Sequence, residues 1–461
     1  MLVSDGAIKA VRVPSHPVDG AGSRTFNNYY LFGLSFIVSG LLIYYLSLPK
    51  LLFVYLGLII VLPMFGIFVL VHSRFGGFPP SSFDLPGKPI EEYMTMNDAN
   101  LLLYSGRSKI PMDTFIENYI QSKINIKGDC LDMFELRYDW ATFEITWNQA
   151  VFFLTGFLPE MLFHTSKQDL DQVREHYDRG NDFYSFFLGK PMVYTSGIIS
   201  DLKKEETIEE LQENKLNLVA KKLHLKEGET LLDLGCGWGT FACHAAKYFG
   251  VKATGVTLAK EQHKFCLKQA EEYGVSEQTS FLCQDARDIP RKKYDKIACV
   301  EMAEHVGVIH FQKFMVQIRE MLEDDGLYFM QVSGLRSAWQ YEDFVWGLFM
   351  NKYIFPGADA STPLHWYISQ LEKAGFEVLS VDTIGCHYSA TILRWYKLWI
   401  SNKAEILDKY GERWFRLWEV FLAWSVIMFR QGTAACYQIT SHKNINSFSR
   451  YSLVDGKRLV A

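Results

Sequence analysis

Two apolar runs dominate the start of the chain. Tyr29 to Leu48 holds twenty residues without a charge and Leu51 to Val71 another twenty-one. Each is long enough to cross roughly 30 Å of hydrocarbon as a helix. Only Pro49 and Lys50 separate them, so the pattern predicts a two-helix transmembrane hairpin over 29–71, with Tyr29, Tyr30, Tyr44 and Tyr45 at the interfaces. Lys9, Arg12 and Arg24 before the pair and Arg74 after it place both ends, including the tail 1–28, in the cytosol. Nearly thirty residues precede the first run, which argues against a cleaved signal. A single bent insertion and two buried helices of a soluble core are the alternatives.

Further along, the pattern changes. Gly and Pro crowd 72–90, which reads as an exit linker. The region 91–169 is mixed and carries no catalytic signature; within it Trp147 to His164 is aromatic-rich and nearly uncharged, and fits either a helix lying on the bilayer or core. From Glu229 the segments ETLLDLG, TFACHAAKYFG, VKATGVTL, a charged helix to Tyr273 and TSFLC alternate strand and helix signals. That βαβαβ order predicts a parallel sheet with helices on both faces.

Composition sharpens this reading. At 461 residues with 49% hydrophobic and only 21% charged positions, the chain exceeds one compact core and has apolar surface to spare for lipid. A net charge of −5 without a Lys/Arg block argues against nucleic acid as a partner. The eight cysteines form no C-x-x-C pair and no zinc spacing, so reduced thiols and no metal site are expected.

The candidate chemistry begins at the first strand-to-helix turn, Asp233-Leu234-Gly235-Cys236-Gly237-Trp238-Gly239. Glycines let the backbone approach a ligand, and the helix N-terminus offers free N–H donors. A dinucleotide fingerprint would want glycine where Thr240 stands and an acid at the end of the second strand, where Val256-Thr257-Leu258 stands. Asp233 instead resembles the acidic entry to the S-adenosylmethionine loop of class I methyltransferases. Further motifs follow in order: HYDRGNDFY from His176, MVYTSG from Met192, TLAKEQ from Thr257, Glu304-His305-Val306-Gly307 and HYSAT from His387. Over roughly 170–440 this set resembles the cyclopropane fatty acid synthase-like methyltransferases.

The resemblance implies an α/β fold: a class I SAM-dependent, Rossmann-like methyltransferase domain over 170–445, with a lipid-binding insert around 335–435 and a tail 446–461, preceded by the two transmembrane helices. Carried over by position, it puts Tyr194 and Thr195 at the methionine end of S-adenosylmethionine and 233–239 around its middle. Thr257 and Gln262 take the ribose side, and Ala286 and Arg287 the adenine. The family holds a bicarbonate between a cysteine, a glutamate, a histidine and a tyrosine. Glu304 and Tyr388 match, whereas Ser196 and Gln331 replace the other two. Serine and glutamine still donate hydrogen bonds to a small oxyanion, so bicarbonate in altered form and Glu304 acting directly both stay open. His305 is a candidate second proton acceptor or a packing residue.

An alkene is a weak nucleophile, and methylating one requires a site that excludes water and tolerates a carbocation, which aromatic faces do. Trp339, Tyr341, Phe344, Trp346, Phe349 and Tyr353 in one insert, and Tyr388, Trp395, Tyr396 and Trp399 in the next, serve that purpose or form the core of a lid. A fungal, sphingolipid-methylating branch of the family shares the membrane pair and the stretches 337–344 and 349–363. Likeness to that branch implies an integral membrane enzyme of the endoplasmic reticulum, its catalytic domain facing the cytosol. Its expected reaction adds methyl to C9 of the Δ8-unsaturated sphingoid base of ceramide or glucosylceramide drawn from the bilayer. A cyclopropane synthase acting on phospholipid acyl chains and a catalytically dead scaffold are the rivals.

Overall fold

The computed structural model describes Gly6 and residues 28–75, 85–157, 159, 180–337, 340–356 and 362–447. The expected linker core at 76–84, the His176–Arg179 motif, Trp339, the middle of the 349–363 stretch and nearly all of both tails lie outside the described residues.

The apolar runs form helices α1 (Asn28–Tyr45) and α2 (Phe53–Phe75), joined through a turn at Ser47 with φ +50°. They pack on one another: the Phe36 and Phe53 rings lie 5.4 Å apart, and the buried Ser39 hydroxyl donates to the Phe53 carbonyl at 2.8 Å. Outward residues such as Ile37, Val54 and Leu58 stay exposed. Among the described residues one helical segment, Lys50–Arg74, is long and apolar enough to cross a membrane, and Phe32–Tyr45 is shorter. The lower end of α2 docks on the body of the protein. His72 Nδ1 lies 2.8 Å from the Tyr341 hydroxyl, the Ser73 hydroxyl accepts from the Ile145 N–H, and Arg74 pairs with Glu144.

The body is built on a seven-stranded sheet. Its strands are β1 (Thr230–Leu234), β2 (Lys252–Thr257), β3 (Thr279–Cys283), β4 (Tyr294–Val300), β5 (Leu322–Leu335), β6 (Phe376–Thr383) and β7 (Ala434–Lys443), in the spatial order β6-β7-β5-β4-β1-β2-β3. The β3-β2-β1-β4-β5 portion is parallel and β7 runs antiparallel to both its neighbours. Leu231, Leu232 and Leu234 of β1 and Ile297 and Cys299 of β4 are fully buried, as strands covered on both faces require. The strand order reverses between β1 and β4, which opens a crevice at their carboxyl ends. Helices α3 (Ile208–Lys222), α4 (Thr240–Phe249) and α5 (Lys260–Tyr273) flank this half.

A second core joins chain segments far apart in sequence. Helices α6 (Gly385–Ser401) and α7 (Glu412–Arg430) bury Trp395, Trp399, Trp418 and Trp424 together with Phe115, Phe134 and Trp140 from the region before the sheet. Most of the aromatics of the two inserts therefore serve as core. At its centre the buried Arg137 is paired with the buried Glu342. The Tyr138 hydroxyl and the Trp424 indole N–H also donate to Glu342, at 2.8 and 3.2 Å. Removing one partner of such a pair strands a charge without water. Arg137→Met should therefore lower the unfolding free energy of the solubilised protein by about 3–5 kcal/mol, and Arg137→Met/Glu342→Leu by clearly less. Equal losses in denaturant unfolding of the two variants would contradict this.

Candidate active site

The crevice above β1 and β4 is a pocket whose floor is the loop after β1. Gly235 adopts φ +74°, and a Cβ there would meet the Met302 side chain at 2.5 Å; Gly237, at φ +54°, has open space on its Cβ side. Both need left-handed backbone, which glycine adopts without strain. Asp233, Gly235, Cys236, Gly237 and Trp238 line the pocket. Leu234 instead belongs to the core behind the sheet, and Gly239 opens α4 against Cys266 and Phe281. These two residues thus shape the loop from behind.

The other expected contacts converge on the same space. Tyr194, Thr195, Thr257, Gln262, Ala286, Arg287 and His305 all line it. The Thr257 hydroxyl donates to Gln262 Oε1 at 2.6 Å, and Arg287 forks onto Asp285 at 3.0 and 2.7 Å. The Trp238 indole N–H is tied to Asn181 Oδ1 at 2.8 Å. Sequence reasoning missed Lys215 and Gln284. Lys215 donates to the Thr195 hydroxyl at 3.1 Å, and burial lowers its ammonium to about 8. Burial pushes the Asp233 carboxyl up to about 7 against the opposing pull of Lys215. Asp233 and Gln284 line the pocket, and their Oδ2 and Nε2 atoms are buried and without a hydrogen-bond partner among the described residues. Unpaired buried polar atoms are costly, so these two mark where a polar ligand would complete the site.

Of the expected catalytic residues, Tyr388, Gln331 and Ser196 come together around a different carboxylate, Glu301. Glu301 follows β4 directly, with φ +52°. It lines the pocket and is otherwise enclosed by protein. The Tyr388 hydroxyl donates to its Oε2 at 2.6 Å, and Gln331 Nε2 and the Ser196 backbone N–H donate to its Oε1 at 2.5 and 2.9 Å. The Cys436 thiol lies 3.6 Å from Oε1. Strand register makes this convergence possible: Val300 pairs with Gln331 across β4 and β5, and Gln331 with Gln438 across β5 and β7.

The structure places three of the expected groups differently from the expectation. The Ser196 hydroxyl does not point at an oxyanion, because it donates to the Gly197 carbonyl at 2.9 Å; its backbone N–H does that work. Tyr388 and Gln331 donate to Glu301, not to Glu304. Glu304 is buried beside the cluster; its Oε1 accepts from the Ser333 N–H at 3.3 Å and its Oε2 has no partner. Burial, with the Glu301 charge added, pushes the Glu304 carboxyl up to about 8. A directly acting base at neutral pH would need that proton removed.

A carboxyl that is neutral when folded and charged when unfolded holds its proton in the native state, so its contribution to stability falls as pH rises from the ordinary carboxylate range through about 8. Glu304→Gln should therefore gain stability relative to the parent as pH rises from about 5 to about 9. Thermal unfolding across that range checks it, and a difference independent of pH would contradict the assignment of a neutral Glu304.

Comparison with known proteins agrees with this geometry. The family described as mycolic acid cyclopropane synthetase matches residues 164–439. A sphingolipid C9-methyltransferase of Komagataella phaffii is 49% identical over 451 residues, covering 96% of this chain and 92% of that protein. One from Candida albicans is 48% identical over 450 residues, covering 95% and 88%. Among solved structures, the cyclopropane synthase MmaA2 of Mycobacterium tuberculosis has a TM-score of 0.55 at 26% identity, covering 59% of this chain and 98% of that one. The mycolic acid cyclopropane synthase CmaA1, solved with SAH and CTAB, gives 0.55 at 24% and shows the same fold. With a glycine loop, a β1–β4 crevice and a family match over the whole catalytic body, this chain belongs to the mycolic acid cyclopropane synthetase family and, within it, to the sphingolipid C9-methyltransferases.

Proposed function

We propose that this protein uses S-adenosylmethionine to place a methyl group on C9 of the Δ8-unsaturated sphingoid base of a ceramide or glucosylceramide. The observation that carries this reading is near-50% identity to sphingolipid C9-methyltransferases along almost the full chain. The pocket supports it. Asp233 Oδ2 and Gln284 Nε2 are an unpaired acceptor and an unpaired donor, and the free side of Gly237 lets a ligand reach the backbone.

When bound, the cofactor supplies an electrophilic methyl on a sulfonium. Tyr194 and Thr195 would hold its methionine end, Thr257 and Gln262 its ribose, and the Ala286–Arg287 turn its adenine. The protein's task toward the alkene is to exclude water and to face the developing cation with π surface. Tyr194 lies 5.3 Å from Trp395, and Tyr388 lies 6.0 Å from Trp395 and 4.4 Å from Phe429, so an aromatic wall borders the carboxylate cluster.

The membrane part of the reading rests on the surface. A helix of spanning length ends at Arg74, which is paired with Glu144, and the nearby chain exposes Trp147, Val151 and Leu154. We place α1 and α2 in the bilayer, with the catalytic body on the cytosolic face of the endoplasmic reticulum and Trp147–Leu154 against the lipid surface. A substrate that does not leave the membrane is then met at high local concentration.

Expressed in cells that hold Δ8-unsaturated but no methylated ceramides, the chain should add one CH₂ to those lipids with the double bond retained. Gly237→Asp, which puts a carboxylate on strained backbone at the open side of the loop, should add nothing. Lipid mass spectrometry decides, and a ring, or methylation confined to phospholipid chains, would contradict the reading. Protonation near pH 7 removes the Asp233 charge, so affinity for S-adenosylhomocysteine should weaken as pH falls from about 8 to about 6. Calorimetry should find that slope flattened in Asp233→Asn; an equal slope would exclude Asp233 as its source.

A further inference from the structure

From the geometry we infer that Glu301 is the proton acceptor of the methyl transfer, a carboxylate built into the chain and held at the pocket by donors from four separate segments. This rests on the alkene-methylation reading above.

Four features support it. One carboxylate collects donors from four separate segments: Tyr388, Gln331, the Ser196 N–H and the Cys436 thiol. Those donors are oriented in turn. Lys222 Nζ can only donate and takes Gln438 Oε1 at 2.6 Å, which turns Gln438 Nε2 onto Gln331 Oε1 at 2.9 Å and leaves the Gln331 amide N–H for Glu301. The backbone of Glu301 sits at φ +52°, a conformation that residues with a side chain adopt rarely and that clusters at functional sites. Finally, Glu301 opens onto the same pocket as Asp233 and Tyr194, whereas Glu304 does not line it.

The charged and titratable groups facing Glu301 are Tyr388, Cys436, Lys215 and Glu304. Burial raises the Glu301 carboxyl, while its hydrogen bonds and Lys215 favour the charged form. Glu304 accepts from the Ser333 backbone N–H at 3.3 Å, and burial holds it neutral. Two neighbouring carboxyls thus divide into a base and a neutral group.

The step balances. The alkene electron pair makes the C9–CH₃ bond as the donor's S–CH₃ bond breaks, leaving a cation at C8 and a neutral thioether. A hydride moves from C9 to C8. The cation, now at C9, is quenched when a proton passes from C8 to Glu301 and its C–H electron pair rebuilds the double bond. Glu301 returns the proton to water as product leaves.

The test uses the full chain with Glu301→Gln and Glu301→Gly. Glu301→Gln should lose about 100-fold or more in turnover on Δ8-unsaturated ceramide, with affinity for S-adenosylhomocysteine little changed. Glu301→Gly relaxes the backbone and opens the cradle. It should be as inactive, recover roughly tenfold or more with millimolar formate or bicarbonate, and melt at higher temperature with formate, which the parent should not. Turnover of Glu301→Gln within a few-fold of the parent overturns the inference. So does a folded, cofactor-binding Glu301→Gly protein that formate neither stabilises nor reactivates. If Glu301→Gln loses cofactor binding as well, Glu301→Gly alone decides. Because the melting shift is read without lipid, a wrong substrate would leave that result standing and sink only the functional reading.

Discussion

A half-buried carboxylate keeps its charge only if fixed donors replace the hydration it has lost, and the architecture around Glu301 meets that demand. Its partners come from the loop before α3, from β5, from α6 and from β7, so the site exists only when the sheet is in register and the α6–α7 pair is seated on it. A slip of one residue between β4 and β5 would turn Gln331 to the other face. The parallel β1–β4–β5 core is therefore a precondition of the chemistry as well as of stability.

The second constraint is the supply of substrate. The second core ties the region before the sheet to the Tyr341–Phe349 insert through Arg137 and Glu342, and that insert to α7 through Trp424, and the same region receives the end of α2 through Ser73 and Arg74. Tyr341, next to Glu342, meets His72 of α2. The long apolar helix α2 and the second core are thus connected by a short chain of packed and hydrogen-bonded residues. That arrangement suits an enzyme whose substrate stays in a bilayer.

How much of this could be read from the sequence depended on whether the cause was local. The βαβαβ segment was legible because buried parallel strands write continuous apolar runs and the turn after β1 needs glycines at fixed offsets. The paired helices before it were legible because a missing charge over twenty residues has few causes, although the first helix ends at Tyr45, earlier than its apolar run. Glu301 was passed over because its partners lie 30 to 135 residues away and because Glu304, three positions on, fits the resemblance better. Lys215 sits in a helix with glutamates and lysines on either side and reads as solvated; only the closure of α3 over the pocket buries it. The region 91–157 gave little signal because its α-helices are four to nine residues long and its strands two to three, too short to mark a period clearly.

The claim that a fixed carboxylate removes a proton from the lipid chain itself is open to one direct measurement. Supplied with a donor carrying a trideuteriated methyl group, the enzyme should form a product that keeps all three deuteriums and its double bond. A product that keeps only two would mean that the proton is taken from the arriving methyl, as ring closure requires, and would contradict it.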